Sequence, residues 1–225
     1  MGCQLYSQPI FFHLNMVVRK DFMMRNTRQD ILDMAQKLFN EYGYNNVATR
    51  DVSEALGISK GNLTYHFKKK EDIIEAIVAE SPKARTFEPP NSLIDLNSFF
   101  MDIQKTVKDK AFYFWHHAQL SQISPKIHVM QKATFDNNMI ILSESFEILK
   151  NDAWIRDERY ADEYIYIINT LLTISIYWIP FCSLKSEDTT DHFLEQIWST
   201  LYTLLTPSGI EVVKKLGFYG ETNSK

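Results

Sequence analysis

The sequence has few of the residues that enzymes, metal sites and disulfide-bonded scaffolds need. Its 225 residues include only two cysteines, so no disulfide framework or CxxC metal pair is expected. The adjacent histidines His116 and His117 diverge on a helix and cannot chelate one ion together, and the other four histidines are scattered. HExxH, GxSxG and phosphate-binding glycine motifs are absent. We therefore predict no enzymatic activity, no metal and no cofactor.

Signals for secretion and membrane insertion are also missing. The N-terminus has no basic start followed by a long apolar run and a cleavage site. The apolar run over 165–182 is interrupted by four polar residues and reaches Pro180, whereas about 20 mainly apolar residues are needed to span a bilayer. We interpret the run as a buried helix. With so little cysteine, the chain is predicted to be cytoplasmic, with no membrane partner.

Charge is distributed unevenly along the chain. The formal net charge is −4, which alone argues against a nucleic-acid binder. Residues 19–70, however, contain ten basic and six acidic residues, and the remainder contains 14 basic and 22 acidic residues. From Ser59 to Lys70 there is no Asp or Glu. This basic segment on an acidic chain indicates a local site for phosphate.

The stretch from Thr49 to Lys70 has the pattern of two short helices joined by a tight turn. Thr49 is expected to cap the first helix, and Gly57 to end it in the left-handed conformation. Ser59 is then expected to cap the second helix, in which Leu63 and Phe67 share one face. Any small helical hairpin could show this apolar spacing, but the basic, acid-free second helix favours DNA binding.

The opposite face of that second helix offers groups suited to DNA. At about 100° per residue, Gly61, Tyr65 and Lys68 lie opposite Leu63, with polar side chains on the flanks. Glycine allows close approach, and hydroxyl, amide and ammonium groups suit phosphates and base edges. We predict that the groove is contacted by Lys60, Gly61, Asn62, Thr64 and Tyr65. We predict that phosphates are held by Thr49, Arg50, His66 and Lys70.

Residues 28–77 resemble the DNA-binding domain of the TetR family of bacterial transcriptional regulators. The matching residues are Ala35, Leu38, Phe39, Gly43, Tyr44, Thr49, Arg50, Asp51, Val52, Gly57, Ile58, Ser59, Lys60, Gly61, Asn62, Leu63, Tyr65, His66, Phe67, Lys70 and Glu71. The family usually has tyrosine where this chain has Thr64, so one backbone contact is expected to be shorter or absent. The resemblance implies a DNA-binding regulator whose C-terminal domain contains an effector cavity.

The remaining pattern predicts an all-α protein with a helix-turn-helix domain followed by a helical bundle. Residues 1–24 are interpreted as a disordered or mis-assigned tail, 25–80 as the three-helix DNA-binding domain, and 88–225 as the dimerisation and effector domain. A break at Ser81-Pro82 and at 88–92 separates the domains. Helices are predicted over 27–42, 70–80, 92–107, 110–121, 125–150, 158–179, 189–206 and 208–216.

Two of the long helices, 158–179 and 189–206, are apolar on more than one side. Such helices must be covered all round, and a second copy could cover what one chain cannot. We therefore predict a homodimer built on a two-fold four-helix interface. The alternative is a monomeric bundle in which both helices are central. A dimer would place two copies of the predicted DNA-contacting helix on a pseudo-palindromic operator of double-stranded DNA.

Aromatic and polar residues of the C-terminal part suggest a pocket for a small molecule. Aromatic walls with a few polar groups are typical of such pockets, although at helical spacing they more often form core. We predict that an apolar or aromatic effector binds among Phe112, Trp115, His116, Gln119, Phe135 and Trp178, and that it releases a repressor from its operator. The alternative is a regulator controlled by a protein partner, or one without a small-molecule effector.

Overall fold

The structure is a computed structural model that describes residues 27–79, 88–185 and 192–219. Within these ranges the chain forms eleven α-helices and no strand, which confirms the all-α prediction. The tail predicted over residues 1–24 lies outside the described residues. Two compact units divide the chain between Ile73 and Ile74. We call the N-terminal unit the head and the C-terminal unit the body.

The head contains three helices around one small core. They are α1 (Thr27–Tyr42), α2 (Thr49–Leu56) and α3 (Lys60–His66), with a 3-10 turn at Tyr44–Asn46 between the first two. The apolar stripe of α1 forms because its buried residues recur every three or four positions, and α2 packs directly against it. The fully buried side chains of the head core are Ile31, Leu32, Ala35, Phe39, Val52, Leu63 and Ile73.

Helix α4 (Lys70–Ala79) begins in the head and ends in the body. Its first residue, Lys70, donates a hydrogen bond to the Tyr44 carbonyl within the head. In the body, the carboxylate of Glu75 accepts a hydrogen bond from Ser124 Oγ at 2.7 Å and pairs with Lys126 Nζ at 3.0 Å. The second half of α4 is therefore fastened to the body by named polar contacts.

Over the residues described, the body is a bundle of seven helices, three of which start at a side-chain cap. Ser92, Ser124 and Thr206 each accept a backbone N–H of the first turn, and proline stands at the first position of two helices. The helices are α5 (Leu93–Asp109), α6 (Ala111–Trp115), α7 (His117–Ile123), α8 (Pro125–Asn151), α9 (Glu163–Ser183), α10 (Phe193–Leu201) and α11 (Pro207–Lys215), with a 3-10 turn at Tyr202–Leu204.

Three of the predicted helices have wrong bounds. The helix expected over 110–121 is broken at His116, where the backbone turns (φ −106°, ψ 16°), and it becomes α6 and α7. The helix expected over 158–179 starts only at Glu163 and continues through Pro180 to Ser183. The helix expected over 189–206 ends at Leu201 in a 3-10 turn.

A buried ion pair explains the late start of α9. Glu163 is buried, and both its carboxylate oxygens accept bonds from the Arg156 guanidinium at 2.7 and 2.8 Å. These bonds, followed by one from the Arg159 backbone N–H, lower the pKa of Glu163 to about 2. Arg156 also donates to the Thr203 carbonyl, so the segment before α9 is tied to the turn after α10.

Helix α9 is also the most apolar element of the body. Among the described helices it alone is long and apolar enough, by length and composition, to cross a membrane. Core helices of soluble proteins pass the same test, and one face of α9 packs in the body core through Ile168, Leu171 and Trp178. Its other face remains exposed.

Candidate nucleic-acid interface

The turn between α2 and α3 forms largely as the sequence predicts. Gly57 ends α2 in the left-handed conformation (φ 65°, ψ 29°), which glycine adopts without a side-chain clash. Ser59 caps α3 by accepting the Asn62 backbone N–H at 3.1 Å. The predicted Thr49 cap is wrong, because the N-cap of α2 is Ala48. Asp51 forms the reciprocal half of a capping box, because its carboxylate accepts the Ala48 backbone N–H at 2.7 Å. The Asp51 backbone N–H in turn donates to the Ala48 carbonyl at 3.1 Å.

Leu63 fixes the rotation of α3 about its own axis. Phe67, predicted on the same helix, is its C-cap residue, with an extended backbone (φ −141°, ψ 114°), and it anchors the end of the helix. Leu63 is 2% exposed and Phe67 is 4% exposed, so both lie in the head core. The guanidinium of Arg28 stands over the Phe67 ring, 5.3 Å from its centroid. The opposite side of α3 must therefore face away from the core, as the helical spacing predicts.

That outward side carries the side chains predicted to reach the DNA groove. Tyr65 is 85% exposed, the largest value of any aromatic side chain among the described residues. Its ring packs edge-on against the partly buried His66, with 5.2 Å between the ring centroids. The exposed residues Lys60, Gly61, Asn62, Thr64 and Tyr65 together form what we call the reading face. Exposure is what a groove contact requires, and their contacts to DNA stay a prediction.

The four residues predicted to hold phosphates occupy different settings. Thr49 and His66 are partly buried. Arg50 is exposed, and its Nε pairs with Glu54 Oε1 at 2.5 Å, so a phosphate would compete with that carboxylate. Lys70 is turned inward: its Nζ lies 3.9 Å from the centroid of the Tyr44 ring, and burial lowers its pKa. This orientation favours a structural role for Lys70, which the sequence pattern did not reveal.

The surface next to the reading face is cationic. Lys60, Lys68 and Lys69 are all exposed, and the segment from Ser59 to Lys70 contains no carboxylate. A helix N-terminus adds partial positive charge from its unpaired backbone N–H groups. This arrangement can attract a polyanion without repulsion from acidic side chains of the same segment.

The six residues predicted to line an effector pocket do not share one environment in the body. Phe112 and Trp178 are buried. Trp178 packs edge-on against Phe193, with 5.7 Å between the ring centroids. Trp115 and Phe135 are 49% and 39% exposed. His116 Nδ1 and Gln119 Oε1 are hydrogen-bonded to each other at 2.9 Å. The break at His116 separates side chains that one continuous helix would have aligned, so the pocket itself stays a prediction.

An open groove of about 310 Å³ lies elsewhere in the body. Residues of the segment before α5 and of the first half of α5 line it: Glu88, Pro89, Pro90, Asn91, Asp95, Ser98, Phe99 and Asp102. None of the six predicted pocket residues contributes to it. Within the described ranges, no group of three or more His, Cys, Asp or Glu residues is placed to hold a metal ion.

The N-terminal part of the chain is similar to known DNA-binding regulators. Residues 31–77 match the family model described as bacterial regulatory proteins, tetR family. The transcriptional repressor AcnR of Corynebacterium glutamicum is 26% identical over 149 residues, which cover 65% of this chain and 76% of that protein. The A-factor receptor protein of Streptomyces griseus is 36% identical over 73 residues, covering 31% of this chain and 26% of that protein.

Solved structures share the fold. A TetR-family transcriptional regulator from Marinobacter aquaeolei superposes with a TM-score of 0.74 at 23% identity, covering 85% of this chain and 97% of that one. SmeT, the repressor of the Stenotrophomonas maltophilia multidrug efflux pump SmeDEF, gives 0.57 at 16% identity, covering 82% and 93%. A SmeT–triclosan complex gives 0.55 at 14% identity, covering 82% and 94%. At these identities the likeness shows the fold.

Proposed function

Through its N-terminal domain this chain belongs to the TetR family of bacterial regulatory proteins, and from that premise we propose that it is a sequence-specific repressor of transcription. It binds double-stranded DNA as a homodimer on a pseudo-palindromic operator. A small apolar or aromatic effector releases it. Occupancy of the operator blocks polymerase without any further contact, which is why repression is favoured over activation.

The rotation of α3 is the observation that supports DNA binding most strongly. Leu63 and Phe67 are held in the core, so the reading face is free to enter a major groove, which is wide enough for a helix. Exposed lysines beside it supply the sequence-independent attraction to phosphate, which weakens steeply with salt. Groove-facing polar groups then supply the sequence preference.

The exposed face of α9 supports the homodimer. Four large apolar side chains on this helix are 43–58% exposed: Ile165, Tyr166, Tyr177 and Phe181. Between them lie the exposed but uncharged Asn169, Thr170 and Thr173. We call these seven residues the outer face of α9. An uncharged, aromatic-rich surface on a helix that is otherwise core suits burial against a second copy.

Two heads are needed because one short helix contacts only a few base pairs. A two-fold dimer places two reading helices about one helical turn apart, so its operator should be pseudo-palindromic. The dimer and the palindrome are thus parts of a single proposal.

Release by an effector requires a ligand that prefers one conformation of the body. Helix α4 is the proposed transmitter, because its second half is fastened at two helix junctions. Glu75 binds Ser124, the N-cap of α8, and the Ile77 carbonyl accepts a bond from Lys110 Nζ at 2.8 Å at the junction of α5 and α6. A ligand that shifts either junction would move the end of α4.

A regulator without a small-molecule effector is the alternative. The partial exposure of Trp115 and Phe135 favours it, since exposed aromatics can also receive a protein partner. A thermal-shift screen separates the two. A compound that raises the melting temperature and weakens operator binding supports an effector, whereas bound compounds that leave operator affinity unchanged favour the alternative.

The proposed function is tested by selecting duplexes from a randomised DNA pool with the purified full-length protein. We expect enrichment of a two-fold symmetric sequence, whose affinity falls steeply as salt is raised. Enrichment of no sequence above the starting pool would overturn the proposal.

A further inference from the structure

Three neighbouring residues of the reading face are Gly61, Tyr65 and Asn62. Gly61 and Tyr65, four positions apart, lie opposite Leu63, and Asn62 lies on the flank beside Tyr65, three positions away. All three are exposed. Thr64 lies on the far flank, and its hydroxyl is used within the helix, since it donates to the Lys60 carbonyl at 2.8 Å. The Asn62 flank is therefore the side on which a polar side chain is left to meet a base edge.

Nothing inside the head requires glycine at position 61. Gly61 has no left-handed backbone angle, and a Cβ added there would meet only Ser59 Oγ at 3.9 Å, an ordinary van der Waals distance. Glycine inside a helix destabilises it relative to alanine. The head tolerates glycine at position 61 but does not need it. Its presence is explained if DNA must come close to the backbone there.

The side chain beside this gap is an unengaged carboxamide. The backbone N–H of Asn62 is satisfied by Ser59 Oγ, and within the described residues its exposed side chain has no hydrogen-bond partner. A carboxamide offers one acceptor and two donors side by side. In the major groove this pattern matches adenine, which presents the N7 acceptor next to the N6 amino donor.

We propose that Asn62 selects an adenine in each operator half-site by pairing with its N6 and N7 atoms, and that Gly61 lets the first turn of α3 lie close enough for this contact. The inference rests on the proposed DNA-binding function and adds the identity of one base. It assigns Asn62 as a specificity-determining residue, distinct from the lysines that hold phosphate.

The test compares operators selected by the wild-type protein and by Asn62→Ala. We expect one adenine per half-site to be preferred by the wild type and no longer preferred by the variant, with preferences at other positions retained. Replacing that adenine with 7-deazaadenine, which lacks the N7 acceptor but keeps the N6 amino group, should weaken wild-type binding by about 2- to 10-fold and leave Asn62→Ala binding unchanged. Asn151→Ala, which removes an exposed amide in the body, is the matched control and should behave as wild type.

Gly61→Ala is an independent test, because stability and operator affinity should change in opposite directions. The added methyl group should raise the melting temperature of the head by about 2–8 °C and weaken operator binding at least tenfold. A more stable variant with unchanged operator affinity would overturn the close approach. An Asn62→Ala protein that keeps every base preference would overturn the adenine assignment, whereas the proposed DNA binding itself would be overturned if the wild type selected no operator.

Discussion

Two exposed helix faces of this chain are built from opposite chemistry. The reading face of α3 is polar and lies among exposed lysines, without a carboxylate in its segment. The seven residues of the outer face of α9 are also exposed, but they carry no charge and include two tyrosines, a phenylalanine and an isoleucine. One cation, Lys185, stands over the Phe181 ring, 4.7 Å from its centroid. Both helices turn their remaining apolar residues into a core. The two faces differ in the chemical groups that they present to a binding partner.

The comparison shows that exposure alone does not define a binding site. A face of amides, hydroxyls and cations can exchange water for phosphates and base edges. A face of aromatic rings between small polar groups gains most by excluding water against protein. The first face is therefore suited to DNA, and the second to another copy of the chain.

The largest expected effect comes from truncating a buried side chain of α3, compared with truncating an exposed one. Leu63→Ala should destabilise the head by about 2–5 kcal/mol, because it removes a fully buried side chain and leaves a cavity. Tyr65→Ala should change stability by less than about 0.5 kcal/mol, because its side chain is exposed. Urea unfolding measures both changes. Equal losses of stability in the two variants would contradict the assigned faces.

The next effect concerns the outer face of α9. Tyr177→Asp would place an unpaired charge in the proposed interface and should weaken self-association by at least about 30-fold. Sedimentation velocity at micromolar concentration should then show a monomer. Ile94→Asp, at an exposed apolar position of α5, is the matched control and should remain dimeric. A wild-type protein that sediments as a monomer would reject the dimer.

The third effect is a pH dependence of the stability of the body. The pKa of Glu163 is lowered from 4.5 to about 2, chiefly by its hydrogen bonds from Arg156. The stability that this group contributes is therefore complete above about pH 4.5 and is lost as the pH falls towards 2. Glu163→Gln should reduce the stability of the body at neutral pH and flatten its acid dependence between pH 4.5 and 2. Denaturant unfolding across that range checks both results, and unchanged curves would contradict the role of the pair.

The smallest effect concerns the attachment of α4. Glu75→Ala removes the bonds to Ser124 and Lys126 and should lower the local stability of the second half of α4 by about 0.5–1.5 kcal/mol. Hydrogen exchange of the α4 amides measures this change. Glu75→Gln keeps an acceptor for Ser124 but loses the charge, so it should show a smaller effect. Identical exchange in all three proteins would remove Glu75 from the proposed transmission path.

Much of this fold can be predicted from the sequence because local signals and packing agree. The 3.6-residue spacing of apolar side chains sets α1 at its predicted bounds, and Pro125 marks the start of α8. The two residues predicted to face inward, Leu63 and Phe67, both lie in the core, although Phe67 stands just beyond the end of α3. At these positions the pattern alone identifies the buried face.

Other features depend on contacts that no local pattern reveals. The break at His116 has neither glycine nor proline, and the charged segment before Glu163 looks like a solvated helix until its ion pair with Arg156 is formed. Lys70 belongs to a basic run, yet its ammonium packs on Tyr44. The predicted pocket depended on such long-range contacts as well, which is why its six residues could not be placed together from spacing.

The most direct test of the central claim is the affinity of the protein for its selected operator with and without extra base pairs between the two half-sites. Inserting about five base pairs rotates one half-site by half a helical turn, so two reading faces held by one dimer can no longer reach both. We predict that the affinity falls to that of a single half-site, and that a full-turn insertion restores part of it. Equal affinity for all three duplexes would contradict paired reading by α3.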